Sequence, residues 1–272
     1  MSAEPGGWER AVLAFRASPE NAELARACFF DDPLRAAAER YAASTEWKAV
    51  HALLPAPGHA LDVGAGRGIA SFALARSGWR VVALEPDPSM IVGAGAIRAL
   101  AADAGLAIEV VQEAGEAIPF ADATFDLVHA RQVLHHASDL DRLCAEVARV
   151  LRPGGMLVAT REHVISRPDD LPAFLDAHPL HRHYGGEHAY LLERYLEAMR
   201  AAGLRVTRIF NPWESDINLF PQTRLALKRQ LARRVHWPLP GLLPDRLLGW
   251  VGARLQVPGR LYSFVAEKPG RG

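Results

Sequence analysis

Two sets of residues could do chemistry. The first is LDVGAGRG, in which Gly64, Gly66 and Gly68 follow an apolar run. Glycines there let the backbone turn sharply and bring its N–H groups close to a ligand at the start of the next helix. Glu85 ends a second apolar run 21 residues after Gly64, a spacing that suits a carboxylate accepting two hydrogen bonds from an adenosine ribose. The second set is imidazole: His135 and His136 in QVLHH, and His163 beside Arg161 and Glu162, each just past an apolar run. An imidazole at such an edge can take the proton of a hydroxyl nucleophile.

Departures from common motifs narrow the ligand. A dinucleotide fingerprint places a third small residue five positions after the first glycine, and Ile69 stands there. A nucleotide-phosphate loop needs Lys and Ser, and LDVGAGRG offers neither. What remains is an adenosine ligand without a pyrophosphate. A third feature, HPLHRHYGGEHAY, holds His178, His181, His183 and His188; with His163 these are five of the chain's eleven histidines. Imidazoles can bind zinc with Glu187 as an oxygen ligand, but no standard ligand spacing is present. The segment therefore reads as a polar lid, and no metal is assigned.

These residues need a scaffold that brings the ends of several strands together. Residues 1–54 read as helices, with apolar positions from Trp8 to Phe15, Leu24 to Phe30 and Leu34 to Leu54, closed by Pro55, Pro57 and Gly58. Alternation follows: a strand at 59–66, a helix at 67–78, a strand at 79–86, a helix at 88–105 and strands at 108–112 and 125–130. A helix at 140–151, a strand at 156–162, a helix at 187–202 and a strand at 204–210 complete it, with a last strand at 261–267. Strands separated by helices imply an α/β fold, a Rossmann-like doubly wound and mostly parallel sheet with helices on both faces. The expected division is one domain over 1–272: an N-terminal helical segment (1–54), a cofactor-binding core (55–210), an inserted helical cap before the last strand (211–258), and the last strand and tail (259–272). The insertion holds a basic helix near 223–235 and an apolar one near 245–255, and is expected to cover the sheet.

In order along the chain, LDVGAGRG, ALEPDPSM, GEAIPFADATFDLVHARQVLHH and RVLRPGGMLV resemble the glycine, ribose, adenine and fifth-strand segments of class I S-adenosylmethionine-dependent methyltransferases of the small-molecule, type 11-like kind. The likeness covers roughly residues 44–165. It implies S-adenosyl-L-methionine as cofactor and S-adenosyl-L-homocysteine as product. It also implies a cofactor site built from Asp62, Gly64, Ala65, Gly66 and Gly68 in the loop, and Glu85, Pro86 and Met90 at the ribose and one adenine face. Gly115, Glu116 and Ala117 would lie at the adenine edge, and Ala130 and Arg131 at the amino-acid end. Ala114 stands where the family often has Asp, which leaves the adenine edge less well defined than the ribose contact. Methyl transfer is an in-line displacement that mainly needs alignment and exclusion of water; an alcohol acceptor also needs a base. His163 and His135 are the candidate bases, and the expected reaction is O-methylation of a small molecule such as a sugar or specialised metabolite. The alternatives are a lipid-linked acceptor at a membrane surface and a cofactor-binding homologue without transferase activity.

Composition sets outer limits. The chain has 272 residues, 50% hydrophobic and 23% charged, which excludes disorder and fibres. Two cysteines, Cys28 and Cys144, encode no disulfide framework. Acids and arginines interrupt the N-terminus, and nowhere do about 18 apolar residues run uncharged, so the expectation is a cytoplasmic protein with no export signal and no transmembrane segment. Thirty-one basic and 31 acidic residues cancel, yet residues 211–272 hold 10 basic and 4 acidic. That local excess allows peripheral contact with an anionic membrane through the basic C-terminal helix, in which Arg224, Lys228, Arg229, Arg233 and Arg234 flank Leu227, Leu231 and Val235. Nucleic acid is not an expected partner, because HARQ replaces the aromatic Asn/Asp-Pro-Pro-type tetrapeptide after the fourth strand and no target-recognition domain is visible.

Overall fold

The computed structural model describes residues 7–178, 180–181, 187–234, 236 and 238–270. His183 and Val235, singled out above, lie outside them. The central sheet is laid down by β1 (His59–Val63), β2 (Arg80–Leu84), β3 (Ile108–Val111), β4 (Phe125–Arg131), β5 (Leu151–Ile165), β6 (Tyr190–Leu191), β7 (Arg205–Phe210) and β8 (Arg260–Glu267). The spatial order is β3-β2-β1-β4-β5-β8-β7, with β6 pairing the end of β5. All pairs are parallel except those of β8, which runs antiparallel to β5 and β7. The chain leaves β1 toward β2 and β3 and then returns to the other side with β4. A crevice opens where that reversal occurs, at the carboxyl ends of β1 and β4.

Apolar periodicity builds the layers. In α7 (Leu140–Val150), Leu140, Leu143, Cys144, Val147 and Val150 are buried at helical spacing, and the Asp139 carboxylate caps the helix by accepting the Arg142 N–H at 3.0 Å. With α9 (Leu192–Ala201), which follows the short α8 (Leu171–Ala177), α7 covers one sheet face, packing on Val128, Leu157 and Phe264. The other face carries α3 (Leu34–Ala43), α4 (Thr45–His51) and α5 (Ile69–Arg76), whose Ala37, Tyr41, Trp47 and Phe72 meet Ala60, Val81, Leu127 and Val158. Ahead of these, α1 (Gly7–Ala17) and α2 (Ala22–Ala27) lead to Phe29 and Phe30.

Three expectations shift. The helix expected over 88–105 is α6 (Ala94–Ala104). The Asp87 carboxylate accepts the Ser89 N–H and the Ser89 hydroxyl accepts those of Ile91 and Val92, so side chains satisfy the backbone in a turn first. The helix expected from residue 187 begins at Leu192, after β6. The insertion does not cover the site: of the described residues between 211 and 258, none lines the central cavity. Its first part, α10 (Asp216–Leu219), instead packs beneath the sheet, with Ile217 buried among Tyr41, Trp47 and Val158. Arg224 and Lys228 of α11 (Arg224–Arg234) pair with Asp245 of α12 (Asp245–Ala253), while Trp250 is 56% exposed. No described helix is long and apolar enough to cross a membrane.

One irregularity in β5 matters for the site. Between Ala159 and Glu162 the pairing with β8 slips, and Arg161 sits there at φ 61°, in the left-handed region. Such a bulge inserts one unpaired residue and reverses the in–out alternation beyond it. Leu157 and Ala159 pack on the α7 face, and so does Val164, whereas unbroken alternation would send residues 161 and 163 there. The bulge turns Glu162 toward the turn after β4 and sends Arg161 to the opposite face, where it donates to the carbonyls of Ile217 and Phe220 at 2.8 and 3.1 Å.

Candidate active site

The loop after β1 closes on itself through Glu85. Gly64 has φ 59°, and a Cβ there would lie 2.7 Å from Val133 Cγ2, so only glycine fits. The Gly66 N–H donates to Glu85 Oε2 at 2.7 Å and the Asp87 N–H to Oε1 at 3.0 Å. Both oxygens are thus fixed by backbone donors, with lone pairs left for a ligand diol. Burial nevertheless pushes the Glu85 carboxyl up to about 7, against the lowering effect of those two hydrogen bonds.

This loop borders a cavity of about 510 Å³, within the range of small-molecule sites. Asp62, Gly64, Ala65, Gly66, Glu85, Pro86, Gly115, Glu116 and Arg131 line it, together with His135 and His163. Four expected cofactor residues do not. Met90 is 70% exposed and turned out of the cavity by the Ser89 turn. Gly68, at φ 80°, is the left-handed N-cap of α5 and packs on Ile97. Ala130 is inside the sheet core on the α7 face. Ala117 lies in the short turn whose Gly115 and Glu116 face the cavity, but does not itself reach it.

Several lining side chains are already engaged. Asp62 accepts from the Ser71 hydroxyl at 2.6 Å and pairs with His129 Nδ1 at 2.8 Å, which anchors the loop from below. Glu116 Oε1 accepts the Ser138 N–H at 2.9 Å. Arg131 grips Glu46 with two donors, at 2.6 and 3.1 Å, and its guanidinium lies over Phe29 and Tyr41, so its charge is already paired within the protein. The sequence reading missed the wall supplied by Trp8, Cys28, Phe29 and Phe30. Arg67 holds this segment down, donating to the carbonyls of Phe29 and Asp31 and to the Asp32 carboxylate. No short motif signals such contacts; two adjacent phenylalanines before an Asp-Asp-Pro stretch are the only trace. Burial raises the Cys28 thiol above its ordinary 9.0, so it stays a neutral wall group.

The second wall is imidazole and carboxylate. His135 Nδ1 pairs with Glu162 Oε2 at 2.6 Å, and the same carboxylate accepts the N–H groups of Val133 and His135, each at 3.1 Å. On the other side of the ring, Nε2 lies 3.7 Å from Glu187 Oε2. Burial alone would lower the His135 imidazole, but Glu162 and Glu187 outweigh it and lift it to about 9. The ring of His163 stands 4.7 Å from that of His135. Burial, with His135 and His178 adding to it, drives His163 well below the ordinary imidazole range. Glu187 is held down at about 2 by His135, His136 and His178, in spite of its burial. The two histidines singled out at the strand ends therefore meet in one cluster, which opens on the same cavity as the glycine loop. A ligand held by the loop and Glu85 and an acceptor held by the cluster would meet inside it.

Residues 61–159 match a family model described as a methyltransferase domain. An uncharacterized methyltransferase of Mycobacterium avium (strain 104) is 39% identical over 112 residues, 41% of this chain and 42% of that protein. A dimethylglycine N-methyltransferase of Parasynechococcus marenigrum (strain WH8102) is 40% identical over 127 residues, 42% of each. The chain thus spans less than half the length of the curated relatives it matches. Among solved structures, a geranyl diphosphate methyltransferase in complex with SAM superposes over 94% of both chains with a TM-score of 0.59 at 18% identity, a likeness of fold.

Proposed function

We propose that this protein, whose residues 61–159 match the methyltransferase-domain model, is an S-adenosylmethionine-dependent methyltransferase acting on a hydroxyl of a small acceptor, such as a sugar or specialised metabolite. The observation that carries the reading is the single cavity shared by the glycine loop with Glu85 and by the His135–His163 cluster. The residues fit the cofactor: Gly64 and Gly66 leave room for close approach of a ligand, and Glu85 offers a carboxylate for the ribose diol. When bound, S-adenosylmethionine supplies an electrophilic methyl group activated by its sulfonium. The chain's own part is to orient and to manage a proton. Phe29, Phe30 and Trp8 exclude water from one side, and the imidazole–carboxylate wall receives the acceptor hydroxyl, with His163, kept neutral by its burial, to take the proton and His135, kept charged by Glu162 and Glu187, to orient the oxygen. His163 and His135 are the proposed catalytic residues.

The test is a panel of hydroxylated acceptors scored by release of S-adenosylhomocysteine. His163→Ala and His135→Ala are each expected to lower turnover about 100-fold or more, with affinity for S-adenosylhomocysteine retained. Near-normal turnover in both variants would remove the base assignment. Cofactor-dependent thermal stabilisation with no acceptor-dependent product would instead mark a binding protein.

Glu85 adds a pH signature. Its carboxyl in the free protein sits at about 7, above the ordinary 4.5, so the ligand-free fold loses stability as pH rises through that interval. Ribose hydroxyls donate only to the ionised carboxylate in the productive pairing, so binding releases a proton and tightens with pH. Calorimetry with S-adenosylhomocysteine should show binding about ten-fold weaker near pH 6 than near pH 8. A flat profile, or one unchanged in Glu85→Gln, would contradict the assignment.

A further inference from the structure

The geometry points to a divalent cation site of the zinc class at the back of this cavity, with His135, His163 and Glu187 as ligands. Each of the three is buried, and one ligand atom from each lies within 4.8 Å of the others. Glu187 Oε2 is 3.7 Å from His135 Nε2, and Glu187 Oε1 is 3.8 Å from His178 Nδ1. These separations are too long for hydrogen bonds. They are close to the roughly 3.4 Å expected between atoms bound at about 2.1 Å to one tetrahedral ion, so shifts of a few tenths of an ångström would close those pairs, and His163, within 4.8 Å, completes the set by a side-chain movement of about 1 Å. His178 Nδ1 is buried and has no hydrogen-bond partner among the described residues, which places a further donor at the rim.

The surroundings are those of a supported metal ligand. His135 commits Nδ1 to Glu162, which leaves Nε2 aimed at Glu187, the carboxylate–histidine arrangement that orients a ligating ring. His163 Nδ1 faces the Gly259 carbonyl at 3.4 Å, so its Nε2 is the available lone pair. Glu162 and Glu187 on opposite sides of the His135 ring favour a positive charge between them. Two imidazoles and one carboxylate make a set that suits zinc and leaves coordination positions open. All three ligands line the cavity of the glycine loop, so an open position is available to an acceptor oxygen; with the ion bound the two imidazoles are ligands, and the base role proposed above belongs to the metal-free protein. The ligands come from the turn after β4, the end of β5 and the segment before β6, each more than 20 residues from the next. That separation is why no ligand spacing shows in the sequence, which assigns no metal. This role in holding the acceptor rests on the methyltransferase reading; the site itself does not.

The experiment uses full-length protein without a histidine tag, equilibrated with zinc, dialysed and analysed for metal by mass spectrometry. About one equivalent per chain is expected, and cobalt in place of zinc should give the visible absorption of a low-coordinate site. Glu187→Gln and His163→Ala should each weaken zinc at least about ten-fold while S-adenosylhomocysteine still binds by calorimetry, which also shows that the variants fold. Wild-type protein that keeps no stoichiometric zinc, or variants that hold it as tightly as wild type, would overturn the site. Zinc bound without S-adenosylhomocysteine binding would leave the site standing and remove the transferase reading; the reverse pattern would remove the site alone.

Discussion

Glu46→Gln should lower the melting temperature by about 10 °C. Glu46 is fully buried in α4 and is the carboxylate between two guanidiniums: Arg131 grips it at 2.6 and 3.1 Å and Arg161 approaches to 3.8 Å. Burial works against its charge, yet Arg131 and Arg161 hold its carboxyl below the ordinary 4.5. Removing the charge leaves two buried cations uncompensated, a cost of about 3–5 kcal/mol, and at about 2–4 °C per kcal/mol for a chain of this size the shift follows. The same logic gives a pH dependence. A carboxyl depressed in the fold contributes stability above its unfolded value near 4.5, and that contribution is lost as pH falls through the lower folded value. Differential scanning calorimetry of wild type and variant is the check. A shift of a degree or less, or equal acid sensitivity in both, would show that the charge cluster contributes little. Because Arg131 also lies over Phe29 and Tyr41, the loss should loosen the N-terminal wall of the cavity as well.

Glu162→Ala should remove measurable turnover, a fall of about 100-fold or more. Glu162 is fully buried and positions His135, accepting from both its ring and its N–H and from the Val133 N–H. Its loss strands three donors and leaves the His135 ring free to turn. A purely structural role would be rescued by Glu162→Gln, which keeps the volume and an acceptor oxygen. Positioning of His135 by charge would not. The expected pattern for Glu162→Gln is a melting temperature near that of wild type, unchanged affinity for S-adenosylhomocysteine, and kcat still depressed at least ten-fold with KM little altered. Full recovery of kcat in that variant would reduce Glu162 to packing.

How much of this was legible beforehand follows from the range of each interaction. The parallel sheet and its helices were readable because local apolar periodicity specifies them: the runs at 59–63, 80–84 and 125–131 carry buried strands bounded by glycines and turns. The glycine loop and Glu85 were readable because a sharp turn and a carboxylate at a strand end are local features. The exposure of Met90 was not readable, because its turn is built by two backbone N–H groups donating to the Ser89 hydroxyl, which propensity does not register. His135 and His163 were readable as residues of one sheet edge, whereas the Phe29 wall, the Glu46 pair and the approach of Glu187 to those histidines were not, since each joins segments more than 20 residues apart. The basic helix over 224–234 read as a charged face, but its Arg224 is paired with Asp216 and Asp245 inside the insertion, contacts that composition does not announce.

The extra residue in β5 also limits what can be transferred to this chain from its relatives. The match to the methyltransferase-domain family ends at residue 159, and the strand changes phase immediately after it. Upstream, position-by-position comparison with a relative keeps side chains on the same face. Downstream, a relative whose fifth strand lacks the extra residue would place its counterpart of Glu162 one column away, and an ungapped alignment would pair Glu162 with a residue facing the other way. Deleting one residue at 160–161 would accordingly act as a frameshift in space, exchanging the directions of Glu162 and His163 while every residue identity was kept. His163 and Glu187 lie beyond this point and His135 before it, so the two sides of the histidine wall can diverge independently while the glycine loop stays in register.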